Sequence, residues 1–569
     1  MARPFASRIA TAIGTVALLG GLAAANPAQA GWATYGNPAS AADSNQVLPR
    51  TIPDGSGGIF LVWEDRRSGN ADIYAQHMDA VGTRLWGVNG VPVMVHAGGQ
   101  ESPILVSDGG GGLIVAWQDS RGGASYDVYA QALDSNGATR WNPAGVAICT
   151  ASGSQILQVG VSDGLGGAIF AWRDSRGADQ DVYAQRVDNS GATLWATDGE
   201  AVCTATGTQT DMRILPDQQG GAFIAWRDRR TGTPSDIYAQ RLDANGDALW
   251  TADGVPVSVA ANDQLSPQVV SDGRFGFIVT WHDNRTVVTD YNIYAQRIGP
   301  DGAPKWTLNG ILVSGAALPQ QFPLVTTDGQ AGAIVAWADS RNGVRTDVFA
   351  QRVDSLGTRL WGPADGVAVC ATDSTQFPGT IVPDGLGGAI IGWDDDRAGF
   401  REVFAQRVNA SGAMQWDPLG LKIATAAGNR NLRSASPDGY GGCVFAWEDF
   451  RPGTTTDVYA YRVTSIGTAV EAPEAPAASA KLYPARPNPF NPHTLLSFQL
   501  ERAGEVRLAL YDVRGRLVRE LVNGARSVGR HEVAWDGTDA AGRGCASGVY
   551  FLQLRADGVR RQTAVTLLR

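Results

Sequence analysis

The sequence predicts an all-β chain: an eight-bladed β-propeller closed by its N-terminal strand, followed by a small C-terminal β-sandwich. Three observations predict the propeller. A Trp-x-Asp-x-Arg phrase places Trp63, Trp117, Trp172, Trp226, Trp281, Trp337, Trp393 and Trp447 at spacings of 54 to 56 residues. A second tryptophan recurs eight times with the same period, from Trp32 to Trp416. Each period breaks into four short apolar runs joined by glycine-rich turns, and none shows the 3.6-residue spacing of a helix. Four strands per unit in about 55 residues is the sequence form of a propeller blade.

Within a unit the first run, such as PILVS (103–107), ends in Asp-Gly and a glycine cluster, which make a tight turn. The second, LIVAWQDSR (113–121), opens with unbroken apolar residues and reads as a strand covered on both faces. The third, DVYAQALD, follows a loop whose length varies between units, which marks an exposed tip. The fourth passes a Ser-Asn-Gly turn and the second tryptophan to reach GVAIC. The opening GWATYGNPAS matches this fourth run, while the last unit stops after its third, DVYAYRVTS. The N-terminal strand is therefore expected to complete the final blade and remove two open sheet edges.

The regions outside the repeats read differently. Residues 1–30 carry Arg3 and Arg8, an apolar run from Ile9 to Ala25 and Ala28-Gln29-Ala30, the pattern of a secretory signal peptide. No later stretch is long and apolar enough for a membrane helix, so no span is expected in the mature chain. The propeller is assigned to 31–468, an Ala/Pro-rich linker to 469–481 and the sandwich to 482–569. With a net charge of −10 overall, +2 in residues 1–30 and +5 in 482–569, the body between carries −17. That acidity argues against a nucleic-acid partner.

Candidate chemistry is sparse. Five cysteines cannot all pair, and Cys149, Cys203 and Cys370 occupy one repeat position, so they read as packing residues beside Cys443 and Cys545. Asp and Arg of the repeated phrase lie two apart and share a strand face, which suits mutual pairing better than a ring of arginines binding an anion. The Asp-Gly turns lack the alternating carboxylates of a calcium loop. The D-x-x-G-x-x-x-W stretches (Asp134 to Trp141, Asp188 to Trp195) resemble the Asp-box turns of sialidase propellers, a likeness of turn and not of chemistry. An enzyme would have to break the symmetry. The departures are His77, His282, the triplet Asp394-Asp395-Asp396 and Tyr461, with His96, His493 and His531 elsewhere. None assembles into a catalytic constellation, so no catalytic, metal or cofactor residues and no cofactor are assigned.

The tail carries a family likeness. PNPFNP (Pro487 to Pro492), YDVRGR (Tyr511 to Arg516), WDGTDAAG (Trp535 to Gly542) and SGVYF (Ser547 to Phe551) resemble the FlgD-type Ig-like domain. That family grades into the type A C-terminal sorting domains of the type IX secretion system, although the terminus LLR lacks a lysine-rich ending. The resemblance implies a module for export or surface attachment whose partner is the secretion machinery. The repeats are similar to VYAQR-type repeats of large exported bacterial proteins, which carry no known active site. The expected function is a non-catalytic secreted or cell-surface scaffold that binds a protein or a glycan. The alternatives are a glycan-active enzyme and a structural surface-layer component.

Overall fold

The computed structural model describes residues 32–568 apart from 34, 41, 425–427, 452–454, 468–479, 484, 489, 501–503, 513–515, 528 and 557–558. The predicted signal peptide and nearly all of the predicted linker lie outside the described residues. Every regular element among the described residues is a β-strand. No helix there is long and apolar enough to cross a membrane, which says nothing of strands that might do so as a barrel.

Eight four-stranded antiparallel sheets follow one another through the repeats. They are numbered 1 to 8 from the one that begins at Gln46. Sheet 2 is typical: Gln100–Ser107, Leu113–Asp119, Asp127–Leu133 and Val146–Cys149. The second strand is the most deeply covered; in sheet 2 every residue of LIVAWQD is buried. It reads as apolar throughout because it packs against a neighbouring sheet on each side. First strands of successive sheets lie against each other, and the first strand of sheet 1 lies against that of sheet 8.

Sheet 8 takes its fourth strand from the start of the chain. Asn37–Ser40 pairs antiparallel with Asp457–Val463, with Asn37 opposite Ala460 and Pro38 opposite Tyr459. The junction of sheets 8 and 1 uses the bonds found at the other junctions. Gln46 N–H donates to the Thr456 carbonyl as Gln100 does to Ala71 and Gln155 to Tyr126.

Glycine is required at one recurring place. Gly36, Gly90, Gly145, Gly199, Gly254, Gly310, Gly366 and Gly420 adopt φ of +74° to +90° just before each fourth strand. A Cβ there would overlap the indole of the buried Trp of the same sheet. Positive φ and the absent side chain are both needed.

The C-terminal sandwich has a three-stranded sheet (Ala480–Leu482, Thr494–Leu500, Gly529–Trp535) and a four-stranded one (Leu517–Arg526, Gly504–Tyr511, Gly548–Ala556, Val559–Leu567). Its first strand takes up the last two residues assigned to the linker. Trp535, fully buried, packs its ring 5.2 Å from both Phe490 and Tyr550. Three of the sequence motifs thus meet in one core contact.

Candidate functional site

The repeated phrase builds the same cluster eight times at the loop end of the sheets. Each buried Trp donates its indole N–H to the Asp two residues on, at 2.7 to 3.0 Å. That Asp is wholly buried in all eight sheets and accepts from the following Arg. The guanidinium lies 3.7 to 4.1 Å above the Tyr or Phe of the third strand. Burial pushes the Asp119, Asp395 and Asp449 carboxyls up, but bonds from Arg and Trp outweigh it and hold them below the ordinary value. Pairing within the sheet, the plainer expectation, is what the geometry provides.

The same arginines also touch the sheet before them. Arg176, Arg230 and Arg397 approach the sulfurs of Cys149, Cys203 and Cys370 at 3.3 to 3.5 Å. Arg67 and Arg285 reach Ser40 and Ser258 in the same slot. Cys149, Cys203, Cys370 and Cys443 are buried free thiols. Burial pushes Cys149 and Cys203 up to about 12.

A second cluster ties neighbouring sheets at the turn end. The Arg of the Tyr-Ala-Gln-Arg phrase bonds the Asp of its own Asp-Gly turn, as Arg186 does Asp163 at 2.9 Å. Its other arm reaches a carbonyl on the next sheet, Ala244 at 3.0 Å, which also accepts from the Trp195 indole. The D-x-x-G glycine of that next sheet, Gly246, lies against the same indole. The Asp-box-like turn is therefore a docking surface for its neighbour's tryptophan. The other oxygen of each turn Asp accepts backbone N–H groups, as Asp163 does from Leu165 and Gly167. No group of three or more metal-ligating side chains occurs among the described residues.

The symmetry-breaking residues occupy separate places. His77 stands in the arginine slot of sheet 1, bonded to Asp54 at 3.0 Å. In sheet 2 the slot holds Ala132, and Arg140 takes its place, reaching Asp108 and the Asn189 carbonyl. Tyr461 is buried in the apolar cluster that joins sheets 8 and 1. His282 lies at the opposite strand end, in sheet 5, buried against Tyr291 and Phe322, and burial, then Arg227, pulls it down to about 4. Within the acidic triplet, Asp395 is the repeat carboxylate, Asp394 accepts from Leu432 N–H, and Asp396 is exposed.

A regularity missed in sequence connects some of these. The second residue of Trp-x-Asp faces a bulge in the next sheet's first strand. Glu64 accepts from Ser102 N–H, Asp394 from Leu432 and Glu448 from Leu48, at 2.7 to 2.9 Å. Its signal was the one variable letter inside an otherwise repeated phrase. Next to it, between sheets 7 and 8, an open groove of about 620 Å³ is lined by Asp396, Phe400, Arg401, Asn429, Asn431 and Phe450. Arg401 is held by its backbone N–H to Asn429 and its guanidinium to Asn431, at 3.0 and 3.1 Å.

Residues 490–558 match the FlgD Ig-like domain. That match lies wholly within the C-terminal sandwich and supports the Ig-like likeness of its motifs. No curated protein matches the chain. Among solved structures, a puromycin hydrolase is similar at 14% identity and a TM-score of 0.41, over 70% of this chain and 58% of its own. The chain therefore spans little more than half of that enzyme. A polysaccharide lyase acting as an ulvanlyase shares 10% identity at a TM-score of 0.37, over 76% and 96% of the two chains. An endo-arabinase from Bacteroides thetaiotaomicron VPI-5482 shares 12% identity at a TM-score of 0.28, over 56% and 97%.

Proposed function

We propose that the eight sheets form a closed eight-bladed β-propeller, exported from the cell, that acts as a non-catalytic binding scaffold. The FlgD Ig-like domain would serve export or surface attachment, in the manner of a type IX sorting domain. Closure is supported by the Asn37–Ser40 strand in sheet 8 and by the packing of sheet 1 on sheet 8. Export is supported by the signal-like residues 1–30 and by the likeness of the repeats to VYAQR-type repeats.

The observation that carries the binding reading is how the charged residues are used. The repeated Asp and Arg side chains are bonded to one another and to backbone, whereas the groove at Asp396 presents aromatic and hydrogen-bonding groups to solvent. Phe400 and Phe450 flank amide, carboxylate and guanidinium groups, a combination suited to an apolar sugar face and its hydroxyls. Catalysis at this place would fall to Asp394, which burial raises to about 6. Its carboxylate is committed to the Leu432 amide and does not line the groove, so binding is the reading we adopt.

The test is a glycan and protein array probed with the full chain and with Phe400→Ala and Asn431→Ala. A ligand retained by the full chain and lost by both variants supports the reading; an array without any ligand overturns it. Export is tested separately, by deleting 480–569 and following the protein to the medium and cell surface.

A further inference from the structure

The first strands of sheets 1 to 5 line a second open cavity, of about 460 Å³, distinct in lining from the groove. Its lining mixes aliphatic residues, Ile104 and Val159 among them, with polar ones, and two arginines border it, exposed Arg50 from sheet 1 and half-buried Arg213 from sheet 4. Gln158 and Gln268 also line it. Neither arginine comes from the repeated phrase; the strand positions equivalent to them hold Ile104 and Val159 in sheets 2 and 3.

These two charges are poorly balanced. Among the described residues the Arg50 side chain makes no hydrogen bond or ion pair with protein, and the charged group it feels is Arg433. Arg433 itself is paired with Glu448 at 2.8 Å. Arg213 spends Nε on Gln268 and Nη1 on the Met212 carbonyl, leaving Nη2 without a protein acceptor. Its acidic neighbour Asp211 is already paired with Arg227 at 3.2 Å. Burial, then the charge of Arg433, holds Arg50 below its ordinary value; burial, helped by the charge of Arg50 and only partly offset by Asp211, does the same to Arg213. A body with a charge of −17 has spare carboxylates in plenty, yet none is placed here.

We propose that this cavity is a binding site for a small oxyanion, held between Arg50 and Arg213 with Gln158 and Gln268 as neutral partners. Guanidinium forks match the paired oxygens of carboxylate, sulfate or phosphate. The volume falls within the range of roughly 300–1,000 Å³ of small-molecule sites, so the anion is expected on an organic body. Carboxylate and phosphate or sulfate share the recognising chemistry, and the experiment separates them.

The full-length protein in chloride buffer is titrated with inorganic phosphate, inorganic sulfate, citrate and galacturonate, and followed by calorimetry and thermal unfolding. The proposal expects saturable binding of at least one, weakened tenfold or more in Arg50→Gln and in Arg213→Gln, with Arg50→Lys losing less. Preference for citrate or galacturonate assigns a carboxylate ligand; preference for phosphate or sulfate assigns an ester of either. Both Gln variants are expected to melt at or above the wild-type temperature in low salt, because a like-charge repulsion has been removed. Binding that survives in the double variant, or no saturable binding of any of the four anions, overturns the proposal.

Discussion

Trp32 and Arg462, from opposite ends of the repeat region, donate to the same oxygen: the Ala80 carbonyl, at 3.0 and 2.9 Å. Trp195 and Arg186 share Ala244 in the same way, as Trp361 and Arg352 share Ala410. The contact between sheets 8 and 1 is thus built from the parts used between covalently consecutive sheets.

Gly36 tests how the Asn37–Ser40 strand is seated in sheet 8. It has φ +82° and lies under the Trp447 indole, whereas Gly55 has φ +80° with nothing within 4 Å of a built Cβ. Gly36→Ala should cost about 2–4 kcal/mol, combining backbone strain with overpacking, and Gly55→Ala only about 1 kcal/mol. Urea unfolding of the two variants measures the difference. Equal costs would mean that Asn37–Ser40 contributes nothing to sheet 8.

Arg140 should be replaceable from the neighbouring strand. Arg140→Ala removes the Asp108 pair and the Asn189 bond, at an expected cost of about 1–2 kcal/mol. Adding Ala132→Arg places an arginine where six other sheets carry one, and should restore most of the loss in a double-mutant cycle.

Stability should peak on the acid side of neutrality. The first residue of the third strand often faces the repeat Asp across the ladder, as Asp236 faces Asp228 and Asp181 faces Asp174. Burial, then carboxylate neighbours, raises Asp181, Asp236 and Asp457 to about 6. Because the folded value lies above the unfolded one of about 3.9, their contribution is complete below pH ~4 and is lost as pH rises through ~6. Asp119, Asp395 and Asp449 are lowered, so their contribution is lost as pH falls below ~4. The melting temperature at constant ionic strength should therefore fall between pH 5 and pH 7.5. Asp236→Asn, which copies the natural Asn292 opposite Asp283, should flatten that limb. A melting temperature that climbs to pH 8 would contradict this account.

Thiol titration should separate Cys545 from the rest. Cys149, Cys203, Cys370 and Cys443 are buried, and burial raises their pKa, whereas Cys545 is half-buried. A thiol reagent at pH 8 should modify at most one group in the native protein and five after denaturation.

The strands and turns were legible because each tryptophan and glycine recurs with a fixed partner. A Trp every 54 to 56 residues cannot be a local accident, and Gly90 or Gly310 is forced by a backbone angle and an indole together. What escaped notice lies in the first strands. Leu48, Ser102 and Phe322 adopt positive φ without being glycine, because a β-bulge there is stabilised by the preceding sheet: Glu448, Glu64 and His282 accept their N–H groups. A sequence read one unit at a time does not reveal a bond supplied by the unit before. His77 and His282 drew attention as departures, yet each fills a structural slot, while Arg50 and Arg213 sit in strands whose composition varies too much to mark any one residue as odd.

Because Asn37–Ser40 pairs with Val458–Ala460, this short strand has no ladder partner until Val458–Ala460 has been made. Throughout that interval the nascent molecule carries a free β-edge capable of recruiting a wrong chain. Pro38, at the centre of the segment, removes one ladder donor, and the register slips between Pro38 and Ser40. The waiting strand is thereby a poor template for strangers while still serving its own sheet.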